Sequence, residues 1–271
     1  MFCRRILPGI FFNRYFCPKF SSMLDLLFKH RTIRKYQQRP IPEELLLKIL
    51  EAGTRASTTG NMQVYSVVVT TDGSIKKRLA PCHFNQPMVV EAPVVLTFCA
   101  DFNRFNKWCM LRRAEPGYDN FLSFFTAAID ALLVAQNVCI AAESMDLGIC
   151  YLGTTTYTAG EIIDILDLPR GVVPVTTVTL GYPGEEPGLT DRLPLDAVIH
   201  RDIYRDYSEK EINEFYRDKE LINTNREFVK ENDKETLAQV YTDIRYNKED
   251  NLLFSRALLD VLERQGFMNH Q

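Results

Sequence analysis

The segment from Ser123 to Met145 restricts the possible folds of this chain more than any other stretch. It is long and apolar, but Asp130, Gln136, Asn137 and Glu143 interrupt it, so it is not read as a membrane span. Ala127, Ala128, Ala131, Ala135, Ala141 and Ala142 keep the helix slim enough for neighbours to pack close. A helix that is apolar almost all round belongs in a protein centre. It is read as the central helix, with sharing by a second subunit left open.

The flanking sequence supplies strands and further helices. Tyr65–Thr71, Pro93–Ala100, Ile149–Leu152 and Val172–Tyr182 are β-branched or apolar runs and read as strands. The second is apolar nearly throughout, which predicts burial on both faces. Met23–His30, Pro42–Arg55, Ser74–Leu79 (ended by Pro81) and Asp101–Ala114 read as helices. Thr158-Ala-Gly-Glu161 predicts a capping box opening a helix to Leu168. From Ser208 the chain is charged, and helices are predicted at about 208–220, 233–245 and 249–265. Few strands separated by helices give an α+β class with a central sheet covered by helices. No GxGxxG, GxxxxGK or GxSxG occurs, so neither a dinucleotide fold, a P-loop nor a nucleophile elbow is indicated.

Composition narrows the function. A net charge of -3 over 271 residues gives no general attraction to nucleic acid. The cysteines lie scattered in apolar runs without a CxxC, as reduced cytoplasmic thiols packed as small hydrophobes would. The histidines His30, His83, His200 and His270 are isolated, which argues against zinc. Residues 1–22 hold Arg4, Arg5, Arg14 and Lys19 and no acid. That suits a transit peptide, but the preferred reading is an upstream extension without a fold of its own, with Met23 as the working start and 23–271 as one domain.

Lys29-His30-Arg31-Thr32-Ile33-Arg34-Lys35-Tyr36 is the densest chemical signal. Two guanidinium forks three residues apart suit a phosphate, Thr32 adds a hydroxyl, and Ile33 can turn inward. The alternative is a solvated basic face.

Taken in order, the pieces resemble the FMN-dependent nitroreductase family, in the group of the major oxygen-insensitive nitroreductase and the NADPH-flavin oxidoreductase of luminous bacteria. The resemblance rests on His30-Arg31-Thr32-Ile33-Arg34, the Ser57–Gln63 loop, Asn85-Gln86, Phe98-Cys99-Ala100-Asp101 and Ala135-Gln136-Asn137. Tyr151-Leu152-Gly153, Leu180-Gly181-Tyr182-Pro183, Arg192-Leu193-Pro194 and Asp260–Gly266 continue it. It implies a mostly antiparallel sheet sandwiched by helices in an interlocked homodimer, with FMN in a cleft at the interface. His30, Arg31, Thr32 and Arg34 would then hold phosphate, ribityl and pyrimidine atoms, and Arg192 would add a phosphate contact. Thr58, Thr59 and Asn61 would come from the other subunit. Gln86 would touch the ring, and Tyr151, Leu152, Gly153 and Thr154 would line it near N5. The implied activity is ping-pong hydride transfer from NADH or NADPH to nitroaromatics, quinones or free flavin, with no catalytic side-chain acid or base, no metal, no nucleic acid and no membrane. Two departures stand out. Thr190 sits where relatives often carry a basic residue, and Lys230–Glu235 is mixed and acidic where NADPH users carry arginines. NADH is therefore at least as plausible a donor.

Overall fold

Eight consecutive residues of β2 (Val94–Asp101) are buried, and the sheet extends outward from them in both directions. In the computed structural model, which describes residues 22–270, β1 (Tyr65–Thr70), β2, β4 (Val172–Gly181) and β3 (Gly148–Leu152) pair in the order β1-β2-β4-β3. Every pairing is antiparallel, and the β2–β4 register shifts between Phe98 and Cys99. The leader expected over residues 1–22 lies almost entirely outside the described residues.

Successive strand residues face opposite sides, so a strand covered on both faces serves two cores. On one side Leu96, Phe98, Ile149, Val178 and Leu180 meet Leu46 and Ile49 of α2 (Glu43–Gly53) and Val134 and Val138 of α6 (Phe121–Ser144). On the other, Cys150 and Leu152 meet Leu79 of α3 (Gly73–Cys82), Val89 of α4 (Met88–Glu91) and Ile162 of α7 (Ala159–Leu166). Each such side chain contributes about 1.5–3 kcal/mol on burial. The five described cysteines are all buried, as expected of small hydrophobes. Burial pushes the Cys139 thiol up to about 12.

α6 is the central helix, but its own chain encloses only one side. Phe124, Ala127, Ala131, Val134, Ala135 and Val138 are buried, while Leu122, Phe125, Ile129, Leu132 and Leu133 form a second, exposed apolar stripe. By length and composition α6 could cross a membrane; in this fold half of its most apolar window is buried. Gly53 brings α2 against it, because a Cβ there would stand 2.3 Å from Val138 Cγ2.

Several local expectations are corrected. Thr158 precedes α7 without capping it; its hydroxyl donates instead to the Cys82 carbonyl at 2.7 Å. α3 runs through Pro81, which stands in the last turn, and Asp72 caps its start. Helix α5 (Asn103–Leu111) begins two residues late because Asp101 completes β2. The tail contains α8 (Glu209–Leu221), α9 (Asn223–Glu231), α10 (Leu237–Gln239) running into a π-helical turn at Val240–Arg245, and α11 (Lys248–Gln265). The helix expected at about 233–245 is present but starts later, at Leu237, because Thr236 and Gln239 form a capping box there, and from Val240 it is π-helical.

Candidate functional site

α1 (Met23–Phe28) is capped by Ser22 and ends at Lys29, and the basic segment follows in extended form. Thr32 bridges Ile149 in parallel, and Ile33 N donates to the Ile149 carbonyl at 2.9 Å. Further on Tyr36 bridges Pro183, and Gln37 N donates to the Tyr182 carbonyl at 2.9 Å. The segment is thus laid along the β3 side of the sheet. Ile33 and Tyr36 turn inward, and the Tyr36 hydroxyl lies 2.7 Å from Thr179 Oγ1. Glycines make this approach possible: a Cβ on Gly148 would lie 2.6 Å from Ile33 Cγ1, and one on Gly181 2.7 Å from Tyr36 Cδ1. With Ile33 and Tyr36 anchored, Arg34 and Lys35 are exposed between them.

His30 Nδ1 lies 2.7 Å from Glu143 Oε1 at the end of α6. That hydrogen bond raises the imidazole pKa, opposed by partial burial and by the nearby positive charge of Arg192. His30 and Arg192, far apart in sequence, are therefore electrostatic neighbours. Arg31 pairs with Glu186 at 3.3 Å. Glu185 accepts from the backbone N–H of Arg34 at 2.7 Å and of Lys35 at 3.1 Å. Arg34 itself makes no ion pair among the described residues, though its charge is felt at the Cys150 thiol. Arg192 folds onto its own loop, donating to Thr190 Oγ1 and to the Asp191 carbonyl, each at 2.8 Å. Beside it Lys219 of α8 pairs with Asp191 at 2.8 Å, bringing a cation to the loop where Thr190 lacks one.

A cleft of about 500 Å³ runs beside the segment, lined by Lys29, Arg31, Glu143, Asp146, Glu185 and Glu186 among others. Its four carboxylates outnumber its two cations, so the cleft as a whole does not favour a phosphate.

The ring-lining candidates form a second group. Tyr151 and Leu152 close β3, and Gly153 and Thr154 turn away from it. Gly153 is exposed, and a Cβ there would meet nothing within 4 Å. Thr154 is buried, with its hydroxyl 2.8 Å from His83 Nδ1. Gln86 closes the turn after α3, its N–H donating to the His83 carbonyl at 3.1 Å. Phe84 and Asn85 both hold φ at 54° in that turn. Positive φ is uncommon for a bulky residue such as Phe and costs of order 1–3 kcal/mol.

Thr58, Thr59 and Asn61 are not brought to these groups within one chain. Thr59 N donates to Asp130 Oδ1 at 2.9 Å, midway along α6. Asp130 and Glu143 are thirteen residues apart on that helix, about 20 Å at 1.5 Å per residue. Sequence reasoning missed the groups that hold the others in place: the acids Glu185 and Glu186, Lys219 and His83. None of them carries a motif.

FMN has a dianionic end, a polar chain and a ring edge of hydrogen-bond acceptors. The unpaired Arg34 guanidinium, the neighbouring His30 and Arg192 and the open space over Gly153 fit those needs. The Arg31–Glu186 pair is exposed on the acid side and weak enough to exchange for a phosphate contact.

The sequence model of the nitroreductase family matches residues 27–182. A curated relative from Staphylococcus aureus, called an NADPH-dependent oxidoreductase, is 32% identical over 261 residues, covering 90% of this chain and 96% of the relative. A solved structure of an oxidoreductase from Bacteroides fragilis is 58% identical, covers 90% of this chain and 100% of its own, and superposes with a TM-score of 0.89. The NADPH:FMN oxidoreductase of Vibrio harveyi, solved with NAD+, is 26% identical, covering 92% of this chain and 99% of its own at a TM-score of 0.74.

Proposed function

Because this chain belongs to the nitroreductase family of oxidoreductases, we propose that it is an FMN-dependent NAD(P)H:acceptor oxidoreductase acting as a homodimer. The observation that carries the reading is the docking of the basic segment along β3, the strand that ends in Tyr151 and Leu152 and runs straight into the Gly153–Thr154 turn. A phosphate-binding end and a ring-binding end are thereby built on one strand.

Bound FMN supplies two-electron hydride transfer, alternately from a reduced nicotinamide and to an acceptor, in ping-pong order. The protein's part is binding and placement. His30, Arg31, Thr32 and Arg192 hold the phosphate and ribityl end. Arg34 places a fixed positive charge at the pyrimidine edge, where reduction leaves negative charge. Gly153 keeps one face open, so nicotinamide and planar acceptor use the same space in turn. Tyr151, Leu152, Thr154 and Gln86 border the ring. No side chain is required as acid or base.

Two observations support the second subunit. The exposed stripe of Leu122, Phe125, Ile129, Leu132 and Leu133 is an apolar helix face of the kind that subunit interfaces cover. The Thr58–Asn61 loop, about 20 Å away along α6, reaches an FMN site only if that site belongs to the partner. The names of the curated relatives favour NADPH as donor. On this chain Lys234 is engaged with Asp243 at 2.9 Å, so the 230–235 segment offers little to a 2′-phosphate. Nitroaromatics, quinones and free flavin are the proposed acceptors. The test is the purified protein: a yellow dimer with one FMN per chain, reduced in stopped flow by NADPH or NADH and reoxidised by nitrofurazone, menadione or FMN. A colourless monomer unable to take up FMN would refute the proposal.

A further inference from the structure

Two turns lie together on the α3 side of the sheet: Cys82–Gln86, which closes α3, and Gly153–Thr158, which follows β3. They are fastened at three points. His83 Nδ1 lies 2.8 Å from Thr154 Oγ1. The Thr158 hydroxyl donates to the Cys82 carbonyl at 2.7 Å. The rings of Phe84 and Tyr157 stand with centroids 6.4 Å apart. The histidine tie is the unusual one. Its ring is fully buried, and Nε2 has no hydrogen-bond partner. If Nδ1–H donates to the hydroxyl, a lone pair on Nε2 is left over; if Nδ1 accepts, an Nε2–H is left over. A leucine would fill this space with no such loss, and a buried polar atom left unsatisfied in a native fold calls for a reason. Charge is not the reason, because burial pulls the imidazole down to about 4 and keeps it neutral.

We propose that His83 is a positioning residue for the flavin: its imidazole fixes the Thr154 side chain against the Phe84–Gln86 turn and so sets the spacing of the two turns that border the ring. This rests on the FMN reading above. Gln86 and Thr154 are both placed at the ring by that reading, and both hang on His83, one from its carbonyl and one from its ring nitrogen. The strained Phe84 and Asn85 backbone between them gives the turn a defined shape for the tie to hold.

The experiment compares the full-length wild type with His83→Leu, His83→Asn, Thr154→Val, Thr154→Ser and the His83→Leu/Thr154→Val double variant. It reads the FMN dissociation constant by flavin fluorescence and the visible absorption bands of each holoenzyme. Loss of one buried hydrogen bond should weaken FMN binding about fivefold or more in His83→Leu and in Thr154→Val. Both should shift the flavin bands alike, and the double variant should be no worse than either single one. His83→Asn and Thr154→Ser should recover most of the affinity. A His83→Leu holoenzyme with wild-type affinity and bands overturns the proposal, as do single effects that multiply in the double variant. If His83→Leu does not fold, Thr154→Val reads the same tie from its other end, and wild-type behaviour there is equally fatal. A wild type that binds no FMN overturns the site reading itself. A wild type that binds FMN beside inert variants overturns only the role of His83.

Discussion

His30 and His83 both stand at helix C-termini, one just after α1 and the other capping α3, where the helix dipole favours a cation at each. Only one of them is disposed to be a cation. His30 is partly exposed and meets Glu143 at 2.7 Å, so its pKa is raised. Among the described residues no acid raises the pKa of His83, which is shut off from solvent, and that pKa falls to about 4. A single carboxylate and a few ångströms of cover outweigh the shared dipole. On the proposed reading the site is thereby divided into a charged end that grips and a neutral end that spaces.

The largest expected effect breaks the charged end alone. Arg31→Ala with Arg34→Ala removes two charge-assisted contacts worth about 1.5–3 kcal/mol each, so FMN affinity should fall more than about 100-fold. Because Arg34 is proposed to sit at the pyrimidine edge, any flavin that remains bound should also show shifted bands, whereas Arg31→Ala alone should leave them unchanged. Fluorescence titration with absorption spectra decides it, and full retention of flavin would contradict the phosphate assignment.

The neutral end answers to acid. His83 has a folded pKa near 4 and an unfolded value near 6.5, so below about pH 6.5 the unfolded chain binds a proton that the folded chain refuses. Stability should therefore decline as pH falls through that window, by on the order of 3 kcal/mol at its lower end. Urea titrations at several pH values should show this slope in the wild type and a flatter one in His83→Leu. Equal slopes would mean that His83 is already accessible to protons in the native state.

The two ends also differ in how far the sequence disclosed them. The basic segment was legible because its residues are contiguous, and the inward turn of Ile33 followed from its place among charges. The buried run of β2 and the central place of α6 were legible from unbroken apolar sequence. The family resemblance added the site residues that spacing alone left open, and their ligand roles stay proposals. What was not legible depends on tertiary contact. Thr158 and Glu161 have the capping-box pattern, but Thr158 holds ψ at 31° rather than the extended value of a cap, and its hydroxyl is oriented to the Cys82 carbonyl instead. α9 was missed because Phe228 and Val229 give it too thin an apolar face. His83 looked like any isolated histidine until the fold set it against Thr154.

Two glycines sharpen the contrast at the level of packing. Gly148→Ala forces a Cβ to within 2.6 Å of the Ile33 side chain, which cannot move without releasing the basic segment. It should cost about 1–3 kcal/mol in a denaturant titration and loosen FMN with it. Gly153→Ala meets nothing in the protein, so its stability should be unchanged. Its effect should instead fall on nicotinamide and acceptor KM, because the added methyl intrudes on the open face. Reversed outcomes would mean that the sheet, not Gly153, borders the ring.

The smallest effect isolates the ion pair at the charged end. In Glu143→Gln the partner of His30 loses its charge, and the imidazole pKa should drop back towards the usual value under Arg192 and partial burial. A raised folded pKa stabilises the native state fully below the unfolded pKa near 6.5, and that contribution fades as pH rises through the folded value. Both partners keep some solvent contact, so the stability change at neutral pH should be about 1 kcal/mol or less. Affinity for FMN is the more sensitive readout, because His30 is proposed to hold the phosphate end. The variant should match the wild type at acid pH, where both imidazoles are charged, and its affinity should begin to fall at a lower pH than that of the wild type, whose imidazole holds its proton longer. If the two curves coincide throughout, His30 acts as a neutral hydrogen-bonding group like His83, and the division of the site into charged and neutral ends fails at its first residue.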